Sequence, residues 1–93
     1  METYVILATF TDPGRIRMEE AGQFRDNVQA TAKGLGINLS TWVMLQGHYD
    51  SALVIQAPDA VSVMKFASYL SQNTMRTQTL RAFPMDEVVS YFS

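Results

Sequence analysis

The chain has 93 residues, 47% of them hydrophobic and 17% charged, with no cysteine and a single histidine. That length suits one domain, and the apolar share is that of a folded chain. Absent cysteines exclude disulfides, thiolate metal sites and a cysteine nucleophile, and one histidine is too few for the usual zinc sites.

Seven basic against nine acidic residues leave a net charge of −2, the wrong balance for a nucleic-acid partner. The longest largely apolar run, Tyr4 to Phe10, is far short of the roughly 20 residues that cross a bilayer. Glu2 stands where a signal peptide would be basic. The expectation is a soluble, cytoplasmic domain of residues 1–93 with no membrane partner and no metal.

Glu2 to Thr11 (ETYVILATFT) is rich in β-branched and aromatic residues and predicts a strand. Asp12-Pro13-Gly14 ends it and suits the start of a helix. Between Met18 and Leu35, Ala21, Phe24, Val28, Ala32 and Leu35 recur three and four apart, lining one helical face. Gly34 and Gly36 then offer left-handed conformations to close it.

Ile37 to Gln46 alternates, with Ile37, Leu39, Thr41, Val43 and Leu45 on one face and Trp42 and Met44 on the other. Gly47-His48-Tyr49-Asp50 reads as a turn, and Ser51 to Ala57 as the second arm of an antiparallel hairpin. After Pro58-Asp59, the residues Ala60, Val63, Met64, Ala67 and Leu70 predict a second helix. Asn73 to Phe83 predicts a fourth strand, and Pro84 a short terminal helix with Asp86 and Glu87 near its positive end.

The order strand, helix, strand, strand, helix, strand, helix is an α+β class, ferredoxin-like βαββαβ with a short C-terminal helix. Right-handed crossovers place both crossover helices on one face of an antiparallel four-stranded sheet. The other face is bare in a monomer. Val5 and Leu7 on strand one, Trp42 and Met44 on strand two, and Ala52 and Val54 on strand three make it apolar where a wet face would alternate to polar. An apolar layer of that size predicts a cover. A second copy of the chain is the economical one, giving a homodimer or larger oligomer; the tail Val88 to Phe92 folded back over the sheet is the alternative.

Candidate chemistry is sparse. His48 has the pKa range for a general base or ligand, and Tyr49 beside it the hydroxyl for proton handling. Turn formation alone accounts for Gly47, Tyr49 and Asp50, and histidines at loop tips are usually solvated. On strand four, Thr77, Thr79 and Arg81 share a face and suit a carboxylate or other anion, or a polar contact between subunits. Trp42, with Met44, Tyr4 and Phe10, could line a site for a flat organic ligand, or simply be core or interface. No phosphate loop, dinucleotide glycine motif or nucleophile elbow is present, so no cofactor is expected.

Several segments together resemble the GYD-domain family, small bacterial proteins of the dimeric α+β barrel superfamily. They are Tyr4-Val5-Ile6-Leu7 with Phe10-Thr11-Asp12, Gly47-His48-Tyr49-Asp50, Ala57-Pro58-Asp59, and Arg76 to Phe83. The chain departs from the family pattern between Arg15 and Phe24. The resemblance implies this fold and a two-fold, sheet-to-sheet barrel, with no assigned reaction.

Functionally, a small-ligand-binding or assembly module is expected. The rival is an enzyme, because other superfamily members are cofactor-independent monooxygenases and isomerases of small aromatic or lactone substrates. There His48 or Tyr49 would move protons and Arg81 would polarise an oxygen. A sensor that changes assembly on binding a metabolite is a third option.

Overall fold

The computed structural model describes residues 1–11, 20–72 and 75–92. Along the chain run β1 (Glu2–Phe10), α1 (Ala21–Gly34), β2 (Asn38–Met44), β3 (Ser51–Ala57), α2 (Ala60–Leu70), β4 (Met75–Ala82) and α3 (Met85–Phe92). The strands form one sheet in the order β2-β3-β1-β4, with every neighbouring pair antiparallel. This is the expected α+β arrangement, βαββαβ followed by a terminal helix. The residues assigned to the entry of the first helix, Pro13 and Gly14, and the start of the fourth strand, Asn73, lie outside the described residues.

β1 and β3 sit in the centre, and their alternate residues Tyr4, Ile6, Ala8, Leu53, Ile55 and Ala57 point to the side that α1 and α2 cover. Val28 and Ala32 of α1 and Val63, Phe66 and Leu70 of α2 close over them, so that one core lies between sheet and helices. Side chains as completely buried as Ile6, Leu53, Ile55 and Phe66 each contribute roughly 1.5–3 kcal/mol by leaving water.

α2 starts cleanly because the Asp59 carboxylate accepts the Ser62 amide at 2.8 Å, satisfying one of the helix's unpaired donors. α1 ends where Gly36 adopts φ +74°, a conformation that glycine tolerates without steric cost.

Three details differ from the expectations. Gly34 stays helical, and Gly36 alone takes the left-handed turn. In α2 the packed face is Val63, Phe66 and Leu70, while Met64 is 62% exposed. A spacing of four from Ala60 points to Met64 and a spacing of three from Val63 to Phe66, and the larger ring took the core.

The third difference moves a whole face. In β2, Leu39 pairs with Ile55, but Thr41 pairs with Val54, so Ser40 is one residue too many for the ladder. Its hydroxyl donates to the Val54 carbonyl at 3.1 Å. Such a bulge breaks the alternation of period two. Leu39 and Trp42 therefore both face the helices, and Val43 turns to the open side. Trp42 meets Phe24 of α1 edge to face, with ring centroids 5.7 Å apart. The expectation that Trp42 and Met44 share the bare face is corrected accordingly. Met44 pairs with Ser51 on the helix side and is exposed only because it lies at the sheet's end.

Candidate functional site

The open face is assembled from four strands whose pairing register puts the same-facing residues side by side. Thr3, Val5, Leu7 and Thr9 of β1 lie between Gln56, Val54 and Ala52 of β3 and Ala82, Leu80, Gln78 and Arg76 of β4. Asn38, Thr41 and Val43 extend it along β2. Among these described residues Arg76 is the one charged side chain. Among the described residues no helix covers this side: α1 and α2 pack on the other, and α3 has no buried residue. The tail therefore does not fold back over the sheet. Val43 and Leu80 are 45% and 41% exposed, while Val5, Leu7, Ala52 and Val54 are half-buried.

The hairpin tip braces one end of this face. Gly47 takes φ +144°, which a side chain would strain. Tyr49 reaches across β1 and donates its hydroxyl to Gln78 Oε1 of β4 at 2.7 Å. Asp50 extends the β1–β3 ladder by one bond, its amide donating to the Ala8 carbonyl, and its carboxylate accepts the Phe10 amide at 2.7 Å. His48 stands edge-on to the Tyr49 ring, centroids 5.1 Å apart, and is exposed. Each residue of the Gly-His-Tyr-Asp segment other than His48 thus has a structural task. The Asp50 bond to a residue 40 positions away is one that local turn chemistry did not reveal.

Thr77, Thr79 and Arg81 do share a face of β4, the helix-bearing one, at the sheet's edge. The Thr77 hydroxyl lies 3.1 Å from that of Ser71, just beyond α2. Arg81 is held locally: its Nη1 donates to the carbonyls of Thr3 and Ala82, and Glu2 Oε2 lies 3.9 Å from Nη2. Its guanidinium stacks on Phe83 at 4.3 Å and reaches the Tyr4 ring at 5.4 Å. Tyr4 in turn donates to Glu2 Oε1, and that bond raises the phenol's pKa.

The structure separates the candidates. Trp42 is on β2 and Arg81 on β4, at opposite edges of the sheet. Tyr49 contacts the open face near Gln78, while Arg81 lies three residues further along β4 on the other face. The arrangement that an enzyme would need, His48 or Tyr49 and Arg81 around one substrate, is not brought together. What the residues do form is a broad, charge-poor sheet surface with a braced rim. Among the described residues no helix is long and apolar enough to cross a membrane.

A small α+β sheet protein with one open apolar face is the class that these features define. The chain belongs to the GYD family, whose domain model matches residues 4–91. It is also similar to a protein of Thermus thermophilus called glutamine synthetase and cystathionine beta-lyase binding protein, with 26% identity over 92 residues and 97% of each chain covered.

Proposed function

We propose that this chain is a binding and assembly module that pairs with a second copy through its open sheet face and holds other proteins rather than transforming a substrate. The observation that carries this reading is the composition of that face, where Arg76 stands alone among apolar and neutral residues. Charged residues are depleted at the centres of protein interfaces, and a soluble chain rarely leaves such a patch to water. The name of the Thermus thermophilus relative, a binding protein for two enzymes, supports protein partners of the enzyme kind.

Light scattering during size exclusion tests the self-pairing. The full chain is expected near twice its 10.4 kDa mass at micromolar concentration, and Val54→Lys near the single mass. A wild-type monomer overturns the pairing. For the partner, purified glutamine synthetase of the same organism is the first protein to titrate, by surface plasmon resonance; cystathionine beta-lyase is the second. Binding to neither removes that part of the reading.

A second reading has one observation in its favour. Among the described residues Trp42 Nε1 and Ser51 Oγ are buried without hydrogen-bond partners, and unsatisfied buried donors invite a bound acceptor. Trp42 is the chain's only tryptophan, so its fluorescence reports on this corner directly. A screen of small aromatic acids and lactones that leaves both the emission and the melting temperature unchanged counts against a ligand there. In the same screen, Arg81→Ala and Thr79→Ala test the anion site once expected on β4.

A further inference from the structure

α3 presents a second unpartnered apolar surface. Met85, Val88, Val89 and Phe92 fall at positions i, i+3, i+4 and i+7 of this helix, the spacing by which helices enter grooves. Met85, Val89 and Phe92 are all more than half exposed, and Phe92 touches only the neighbouring Tyr91 ring among the described aromatic contacts. Among the described residues no other element makes more than slight contact with α3.

An isolated helix shorter than about 12 residues is marginal in water, and α3 has 8. It therefore calls for a packing partner that the other described residues do not supply. A lipid surface is a poor match, since α3 carries Asp86 and Glu87 and no basic residue.

The size of the open face says what that partner is. Four strands about 4.8 Å apart and about 23 Å long give a footprint on the order of 450 Å². Specific interfaces bury about 800 Å² on each side. The sheet face alone is at the low end for a stable dimer, and α3 supplies apolar area in the right place. β4 delivers Ala82 to the open face, and after Phe83 and Pro84 the helix begins. α3 thus continues from the rim of the pairing surface.

We propose that α3 is an exchanged arm: in the dimer, the apolar side of each copy's α3 packs on the other copy. A closed two-fold pair satisfies both arms at once, with no surface left to recruit a third copy. This inference rests on the pairing proposed above and extends it to a segment outside the sheet.

The test is a sample of mixed dimers, half of the chains labelled with carbon-13, examined for contacts between copies by isotope-filtered NOEs. Cross-copy NOEs from Val89 and Phe92 are expected. In parallel, sedimentation equilibrium on Val89→Glu and Phe92→Asp is expected to show dimer dissociation constants raised about tenfold or more. Both changes are on an exposed helix and leave the core intact. A dimer in which α3 gives only contacts within its own chain, and whose stability the two variants do not alter, overturns the exchanged arm while the sheet pairing stands. A wild-type chain that sediments as a monomer overturns both.

Discussion

The two faces of the sheet are built from the same strands, residue by residue in alternation, yet they have opposite fates. On the helix side, Ile6, Ala8, Leu53, Ile55 and Met75 are essentially inaccessible. On the open side, their immediate neighbours Val5, Leu7, Ala52 and Val54 remain partly exposed. The side chains are of similar kind; what differs is whether the chain itself brings a second layer. Local apolarity is thus shared by both faces, and topology decides which of them this chain's own helices bury.

The sharpest way to break the comparison is to cut into the covered face. Phe66→Ala is expected to cost about 3–5 kcal/mol, the toll of a large cavity in a packed core, read as a lower urea midpoint. On the open face, Leu7→Lys is expected to leave monomer stability within about 0.5 kcal/mol, as for other surface changes, while abolishing self-association in a dilution series. If Leu7→Lys unfolded the chain as Phe66→Ala does, the two faces would not be distinct in the way described.

At the hairpin that spans them, Gly47→Ala is expected to cost about 1 kcal/mol because of the positive φ. Tyr49→Phe is expected to cost about 0.5 kcal/mol, through the lost bond to Gln78 alone. Both are measurable by chemical denaturation.

The smallest effect concerns pH. The Asp59 carboxyl is held below its ordinary value of 3.8, chiefly by the Ser62 amide that it caps. Its charged form is thus favoured in the folded state, and the contribution is fully present above the unfolded value and lost as pH falls through the folded one. Asp59→Asn keeps a cap without a charge, so that its thermal midpoint is expected to fall less than the wild type's between neutral pH and pH below 3.8.

Most of the architecture is legible in the residues. The β-branched run of β1, the three-and-four spacing of α1 and the Pro58-Asp59 boundary each obey a local rule that tertiary contacts did not override. β2 defeated the reading because its sequence alternates without fault, and a bulge is a property of two strands, invisible in one. Ser40 carries no mark of being the surplus residue until Val54 is opposite it.

The candidate site was legible in part. Thr77, Thr79 and Arg81 share a face as their spacing requires, but what Arg81 binds depends on Thr3, Glu2 and Phe83 brought alongside by the β1–β4 register. Strict alternation puts Trp42 on the open face, and the bulge at Ser40 turns it to the helices, where it meets Phe24. Asp50 was read as a local turn former, and its bond to Phe10 could be seen only once the hairpin lay against β1.

The extra residue at Ser40 has a consequence for how such chains can join laterally. β2 and β4 are the two edges of the sheet, and endless ribbons grow when the edge of one molecule hydrogen-bonds to the opposite edge of the next. A kink in the peptide row of β2 spoils that half of the match. The surplus residue thus makes one border of the molecule a poor template for ribbon growth.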